Sequence, residues 1–332
     1  MNPPIVRRLP ALLLLLLLGG CNTVVMNPSG DVAAQEARLI TISTVLMLLI
    51  IVPVIVLTLM FAWKYRAANK DAEYAPNWDH STVLELIIWG APLLIIIALG
   101  LLTWISTHLL DPYRPLARID AKRPIPANVK PLEVQVVAMD WKWLFIYPEQ
   151  GIATVNEFVA PVDRPIRFKL TATQMMNSFY IPELAGQVYA MPAMQTQLHA
   201  VSNKVVHSEG FSANYSGRGF SDMRFKYHAV PAAEFDQWVQ ATKAANAALK
   251  LDRANYLVLE KPSEKEPIKR YGDIEPGLFN AIVDRCVGPG KVCISQMHAA
   301  DQARAKIVAE LCNDPRAVQN TVSLKKQNVA TN

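Results

Sequence analysis

Residues 39–63 read LITISTVLMLLIIVPVIVLTLMFAW, residues 83–110 read VLELIIWGAPLLIIIALGLLTWISTHLL, and these two apolar stretches decide the fold. The first contains no charged residue, and the second contains one acidic residue, Glu85, in its first turn. A helix of about 20 apolar residues is long enough to cross the hydrocarbon core of a bilayer, which is roughly 30 Å thick. The two stretches therefore predict a transmembrane helical hairpin over residues 38–111.

The composition agrees with a membrane protein that carries a soluble domain. Of the 332 residues, 52% are hydrophobic and 18% are charged, whereas soluble domains have about 25% charged residues. This apolar content excludes a disordered chain, and four cysteines are too few for a disulfide scaffold. The net charge of +5 is not gathered into lysine- and arginine-rich blocks, so we expect no nucleic-acid partner.

The loop between the two stretches is cationic, because it contains Lys64, Arg66 and Lys70. Cytoplasmic loops of membrane proteins carry an excess of such residues. We therefore expect this loop in the cytoplasm, and everything after residue 110 on the other side of the membrane.

The N-terminus is typical of a secretory signal peptide over residues 1–20, with Arg7 and Arg8 before an apolar run. Cys21 follows directly, and the run LGGC that it ends resembles the lipobox of bacterial lipoproteins, whose cysteine is acylated. We expect a lipid anchor at Cys21, an exported segment over residues 21–37 and a location in the bacterial inner (plasma) membrane. The alternative is an ordinary signal peptide followed by an incidental cysteine.

In the exported domain, the hydrophobic pattern of the sequence repeats every two residues. Apolar and polar residues alternate over residues 133–138, 166–170 and 223–227, between breaks of Pro, Gly, Asn and Asp. This alternation is typical of short strands, and it predicts an antiparallel β-sandwich or barrel over residues 125–231. A helical extension follows over residues 232–285, including a helix at 276–286, and a polar, cysteine-containing tail covers 286–332.

Several features together resemble subunit II of the haem–copper oxidases. They are the two spans, the acidic residue that opens the second span, the aromatic strand at residues 141–147 and the β-domain. A strand that lines a core would be equally aromatic. The resemblance implies a cupredoxin-like domain outside the cytoplasm. In the cytochrome c oxidase branch, this domain holds two coppers on a loop Cys-x-Glu-x-Cys-x-x-x-His-x-x-Met and one earlier histidine.

The corresponding positions here have lost those ligands. They are Asn177, Ser212, Asn214, Ser216, Phe220 and Met223. Copper centres of this kind need soft thiolate ligands, and no cysteine lies between Cys21 and Cys286. We therefore expect no metal site in this domain. The three histidines of the domain match no ligand position, and we interpret them as surface or hydrogen-bonding residues: His199, His207 and His228.

Three local runs resemble the cytochrome o ubiquinol oxidase branch of this family: YSGRGFS at 215–221, YLVLEKPSE at 256–264 and PGLF at 276–279. The resemblance implies a non-redox subunit of a proton-pumping ubiquinol oxidase, without a cofactor of its own. Haems and copper are expected in the partner subunit I, which receives ubiquinol. Subunits III and IV are further expected partners, and cytochrome c is not.

Glu85 has two interpretations. From the residues alone, an acidic side chain near the end of a span reaches the headgroup region, although ionisable residues in membranes are also candidates for proton paths. The resemblance favours the second interpretation, because Glu85 matches the family glutamate at the mouth of the proton path into subunit I.

The C-terminal cysteines match nothing in the family. In an oxidising compartment, a disulfide between Cys286 and Cys293 would close a short loop, and Cys312 would remain a free thiol. A metal site that includes His298 is the less favoured alternative, because the spacing matches no zinc signature.

Two other functions compete with the ubiquinol oxidase hypothesis. The first is a free-standing membrane lipoprotein with a cupredoxin-like binding domain. Two spans exceed what mere anchoring requires, since a lipid and one span would suffice. The second is an atypical cytochrome c oxidase subunit II, against which the lost ligands argue.

Overall fold

The computed structural model of the protein describes residues 23–73 and 76–313, and it describes side chains as far as residue 309. The predicted signal peptide and Cys21 lie outside the described residues.

Two long helices form the membrane part, as predicted. α1 (Asp31–Lys64) and α2 (Thr82–Leu109) are both long and apolar enough to cross a membrane. Their apolar side chains are uncovered; for example, Leu86 is 69% exposed and Trp89 is 78% exposed. A helix that is apolar all round needs lipid or another chain around it. The helical hairpin is therefore a membrane structure that the rest of the described chain does not cover.

Helix α1 begins at Asp31, well before the apolar stretch that predicted it. Its first turns are held by the soluble domain, where Val32, Ala33 and Ala37 are buried. At about 1.5 Å per residue, its 34 residues extend roughly 51 Å, which exceeds a hydrocarbon core of about 30 Å. The helix thus rises out of the membrane and into the domain above it.

The described part of the soluble domain is built mainly from strands: eleven form two sheets, and two short ones pair with each other in a third. In chain order they are β1 (Leu132–Met139), β2 (Lys142–Tyr147), β3 (Ile152–Val155), β4 (Glu157–Pro161), β5 (Ile166–Ala172), β6 (Asn177–Ile181), β7 (Ala185–Ala190), β8 (Thr196–Ala200), β9 (Val206–Ser212), β10 (Arg224–Val230), β11 (Lys250–Leu251), β12 (Lys269–Tyr271) and β13 (Asp273–Ile274). The first sheet has the order β12-β3-β2-β1-β5-β8, and the second has the order β4-β10-β9-β6-β7. The predicted β-sandwich is confirmed.

The sheets are mixed, so the prediction of a purely antiparallel sandwich is wrong in two places. β1 pairs with β5 in parallel, from Leu132 opposite Ile166 to Ala138 opposite Ala172. β4 pairs with β10 in parallel as well. The alternation of apolar and polar residues indicates which side chains face the core, but it is the same whether the neighbouring strand is parallel or antiparallel.

The aromatic strand β2 is the centre of the molecule, and all its residues are buried. Trp143 packs between the sheets against Phe179 and Phe225, with ring centroids 5.3 and 5.7 Å apart. The alternate side chains, Leu144 and Ile146, face a second core on the other side of the first sheet. A strand covered on both faces is apolar throughout, which explains why this segment lacks alternation.

The C-terminal extension contributes to both cores, and residues 251–287 cover the outer face of the first sheet to make the second. Its helices are α3 (Ala232–Ala245), α4 (Arg253–Leu259), α5 (Leu278–Val283) and α6 (Ile294–Asn313). Tyr256 and Phe279 pack on the outer face of the first sheet, and β12 adds to its edge beside β3. The extension is therefore part of the sandwich in structure, since one of its strands completes the sheet.

Two C-terminal predictions need correction. The helix expected at 276–286 is only Leu278–Val283, because Arg285 adopts a left-handed conformation with φ 54° and ends it. The predicted polar tail contains a helix, Ile294–Asn313. That segment has five alanines and no Gly or Pro, and its helix propensity outweighs its polar character.

Candidate functional site

The loop that corresponds to the family's copper loop lies at one end of the sandwich. It joins β9 to β10 over residues 213–223 and ends in a 3₁₀ turn, Phe220–Asp222. The backbone N–H of Ala213 donates to the Ser178 carbonyl at 2.9 Å, which holds the loop against the start of β6. The fold therefore brings the earlier position, Asn177, beside the loop positions that follow it in sequence.

Four of the six predicted positions are buried together, and neutral hydrogen bonds join them. Ser212 Oγ donates to Asn177 Oδ1 at 3.0 Å, and Asn177 Nδ2 donates to the Met175 carbonyl at 3.1 Å. Ser216 Oγ lies 3.9 Å from Met223 Sδ. Ser212, Asn177, Ser216 and Met223 are all nearly inaccessible to solvent.

The remaining two positions lie nearer the surface. Asn214 Nδ2 donates to the Met176 carbonyl at 3.3 Å. Phe220 is partly exposed, and its ring packs edge-on against Tyr215 with centroids 5.6 Å apart. All six positions are thus gathered around one loop, as the resemblance implies, and each has a packing or hydrogen-bonding role.

This set of side chains does not fit a copper centre. The positions of the two bridging thiolates hold Ser212 and Ser216, whose hydroxyls are neutral and hard, and the thioether of Met223 alone is a weak ligand. Within the described residues, no group of three or more His, Cys, Asp or Glu side chains could hold a metal ion. The loop is a structural element in which hydrogen bonds take the place of ligand bonds.

Trp141 completes this loop, and sequence reasoning missed it. Its indole Nε1 donates to the Ser216 carbonyl at 3.0 Å, and the ring lies flat against Gly217 and Gly219. A Cβ at Gly219 would stand 2.6 Å from the indole Cδ2, so only glycine fits there. The run of two glycines on either side of Arg218 was the signal that could have revealed a close packing partner.

Glu85 lies at the opposite end of the molecule, in the first turn of α2. Ser81 caps this helix, and Glu85 Oε1 is 2.8 Å from His80 Nδ1. Both side chains are more than half exposed in the isolated chain. The start of α2 is on the same side as the end of α1 and its cationic residues, because both outer ends of the hairpin meet the sandwich. An accessible carboxylate with an imidazole neighbour can exchange protons with water.

The junction between α1 and the sandwich contains a second group that the sequence did not indicate. The carboxylate of Asp31 is only 6% exposed and lies 2.9 Å from Nε of Arg118. The backbone N–H of Gly30 donates to the Glu183 carbonyl at 3.0 Å, and a Cβ at Gly30 would stand 2.3 Å from the Leu184 carbonyl oxygen. These contacts fix the direction in which the helix leaves the domain.

The three histidines of the domain lie outside the loop cluster. His199 is half-buried, with Nδ1 3.2 Å from the Pro112 carbonyl oxygen at the end of the second span, and burial lowers its pKa. His207 and His228 face each other on the outer side of the second sheet, with their Nδ1 atoms 2.7 Å apart. They are surface and hydrogen-bonding residues, as the sequence indicated.

The C-terminal cysteines Cys286 and Cys293 are joined in a disulfide, with their Cα atoms 4.8 Å apart. The bond closes the loop after α5 and lies at the margin of the second core. The side chain of Cys312 lies outside the described residues.

Two membrane helices, a two-sheet sandwich standing on them and a loop with the positions but not the ligands of a copper site define a class: a membrane-anchored protein with a cupredoxin-like domain. Residues 246–290, which form much of the second core, match the family described as COX Aromatic Rich Motif.

Comparison with known proteins identifies the family. The chain is 51% identical to cytochrome bo(3) ubiquinol oxidase subunit 2 of Pseudomonas putida, over 82% of this chain and 84% of that protein. It is 50% identical to ubiquinol oxidase subunit 2 of Acetobacter aceti, over 84% and 87% of the two chains. The chain belongs to the ubiquinol oxidase subunit 2 family.

Among solved structures, the periplasmic domain of subunit II of cytochrome oxidase from Bradyrhizobium japonicum is similar, with 22% identity and a TM-score of 0.34. The match covers 36% of this chain and 98% of that chain.

Proposed function

We propose that this protein is subunit II of a proton-pumping ubiquinol oxidase, which transfers electrons from ubiquinol to oxygen in aerobic respiration. The chain is the non-redox subunit of that complex and has no catalytic centre of its own. It supports the assembly of the catalytic subunit I and provides the mouth of its proton path at Glu85.

The hydrogen-bonded loop at the end of the sandwich carries this proposal. A subunit that accepts electrons from cytochrome c needs a metal relay there, and Ser212 and Ser216 cannot bridge two coppers. Ubiquinol dissolves in the membrane and reaches subunit I directly, so no relay through this domain is needed. The relatives with about half of their residues identical are themselves named as ubiquinol oxidase subunits.

The proton role rests on the position of Glu85. A carboxylate at the cytoplasmic end of a span collects protons from water and passes them to an acceptor in the neighbouring chain. The imidazole of His80 lies 2.8 Å from the Glu85 carboxylate and is a hydrogen-bonding partner for it.

The partners and location follow from the same proposal. The uncovered faces of the two helices pack against lipid and subunit I, which holds the haems and copper and binds ubiquinol; subunits III and IV complete the assembly. The complex lies in the bacterial inner membrane, with the sandwich in the periplasm and a lipid on Cys21.

Oxygen consumption by the purified complex tests the proposal. The tagged chain is isolated with the membrane subunits that accompany it, and oxygen uptake is recorded with a reduced ubiquinone analogue and, separately, with reduced cytochrome c. We expect haem in the preparation and activity with the quinol alone. Activity with cytochrome c would indicate an electron path through this domain and contradict the proposal. A preparation without haem and without activity would support the free-standing lipoprotein.

A further inference from the structure

Two histidines face each other across neighbouring strands, far from the loop cluster. His207 on β9 stands directly opposite His228 on β10, their ring centroids are 4.9 Å apart and their Nδ1 atoms are 2.7 Å apart. At this distance one Nδ1 donates a hydrogen bond and the other accepts it. The Nδ1 atoms of the two rings therefore face each other across a narrow gap.

The histidine pair is separate from the loop that corresponds to the family's copper loop. His207 lies near the start of β9, and Ser212 ends that strand. Five residues of strand extend about 16 Å, so the histidine pair and the loop cluster lie at different ends of the same two strands.

The 2.7 Å between the two Nδ1 atoms is the length of their hydrogen bond, so both nitrogens can reach one ion after a small movement of the rings. Imidazole nitrogens are good ligands for divalent first-row metals, and among these metals Cu²⁺ is bound most tightly. We propose that His207 and His228 form a bidentate site for Cu²⁺ on the outer face of the sandwich.

Binding requires a change of tautomer and a turn of the two rings, so that both Nδ1 lone pairs converge on the ion. Each neutral imidazole keeps its proton on Nε2 and offers the Nδ1 lone pair to the metal. His207 is exposed, so water completes the coordination.

Carboxylates lie beside the cations near the pair. Lys226 is paired with Glu209, and Arg270 forms two hydrogen bonds of 2.7 Å with Glu157. Glu209 is also 3.8 Å from Arg224. These carboxylates reduce the positive potential that an incoming Cu²⁺ meets.

Copper titration of the full-length chain in detergent tests this site. The chain is produced with a tag that contains no histidine, stripped with a chelator and titrated with Cu²⁺ against glycine as a competing ligand. His207→Gln and His228→Gln remove one ligand each, and His199→Gln is the matched control, because it removes a half-buried imidazole elsewhere in the domain.

We expect one Cu²⁺ per chain, with an electron paramagnetic resonance spectrum that shows two nitrogen ligands. Since two linked ligands bind more tightly than one, each single variant should lose about 100-fold in affinity, and His199→Gln should lose none. A wild-type spectrum without two nitrogens would overturn the proposal even if a variant failed to fold. Affinity that is unchanged in both ligand variants, or equally reduced in the control, would overturn it as well.

Discussion

The loop end of the sandwich and the end of the helical hairpin that contains Glu85 differ in burial and in charge. At the loop end, Ser212 and Asn177 are buried, neutral and joined by a hydrogen bond of 3.0 Å. At the hairpin end, Glu85 and His80 are exposed, ionisable and 2.8 Å apart. The first region keeps the geometry of a family site without its chemistry, whereas the second keeps an ionisable group in a place that water can reach.

This difference shows how a site can lose its metal while the fold survives. A hydroxyl in place of a thiolate removes the ligand but leaves a small polar group of similar shape, which finds a partner inside the same cavity. Buried polar groups that are fully paired cost little. At the hairpin end, by contrast, the carboxylate of Glu85 is present and about half exposed.

The largest expected effect is at Glu85. Glu85→Ala should slow quinol-driven oxygen uptake by about 100-fold while the complex still assembles, since a positioned proton-transfer group typically contributes at least this much. Turnover is measured at equal haem content. Asp79→Asn, an exposed acid in the same loop, is the control and should leave turnover unchanged. Normal turnover in Glu85→Ala would contradict the proton role of Glu85, and neither region would then contribute to the chemistry of the complex.

The next effect is a steric one at the loop end. Gly219→Ala places a methyl group 2.6 Å from the indole of Trp141, and forced repacking of this kind costs about 1–3 kcal/mol. Gly219 has φ −88°, so the backbone itself accepts alanine. Urea unfolding in detergent measures the free energy of unfolding.

The matched control is the same substitution in a Trp141→Ala background. There the methyl group has space, and Gly219→Ala should cost less than about 0.5 kcal/mol. An equal cost in both backgrounds would mean that the indole does not determine the need for glycine.

A smaller effect is expected from the hydrogen-bond network itself. Ser212→Ala leaves Asn177 Oδ1 without its buried donor, which costs about 1–2 kcal/mol of folding free energy. Asn214→Ala, at a less buried position of the same loop, should cost less. Oxygen uptake with quinol should be unchanged in both variants, because the loop carries no electrons. A loss of turnover at wild-type stability would contradict the structural role.

The smallest effect concerns acid stability of the sandwich. None of the six loop positions is titratable, whereas His228 has a pKa lowered first by burial and then by His207. Histidine in an unfolded chain titrates near pH 6.5, so as the pH falls the unfolded chain is protonated at this position before the folded chain. The stabilising contribution is therefore complete above about pH 6.5 and is lost as the pH falls below it.

His228→Gln should reduce this loss, and His199, whose pKa is also lowered by burial, should account for part of the remainder. The free energy of unfolding is compared between the two proteins from pH 7.5 to 5.5, with a metal chelator present. Parallel curves would mean that His228 is equally protonated in the folded and unfolded chains.

Much of this architecture could be predicted from local patterns. The apolar stretches predicted both membrane helices, and the period of two predicted the sandwich. The start of α1 at Asp31 could not be predicted, because its extra turns depend on an ion pair with Arg118 from a distant part of the chain. The parallel pairing of β1 with β5 was likewise hidden, since alternation is the same for both directions.

Some features of the candidate site could likewise be predicted from the sequence, and others could not. The loss of the copper ligands is a matter of residue identity, and the sequence alone determines it: a serine hydroxyl cannot act as a thiolate wherever the chain places it. The sequence alone also predicts two membrane-spanning segments, because each is apolar over a length that crosses a bilayer.

The contacts made at the positions that correspond to the copper ligands depend on the tertiary structure alone. The hydrogen bond from Ser212 to Asn177 joins residues 35 positions apart, and the indole of Trp141 reaches Ser216 across 75 positions. The opposition of His207 and His228 depends on the register of β9 with β10. Such contacts arise from the register and packing of distant strands, which are set by the whole core and not by any one segment.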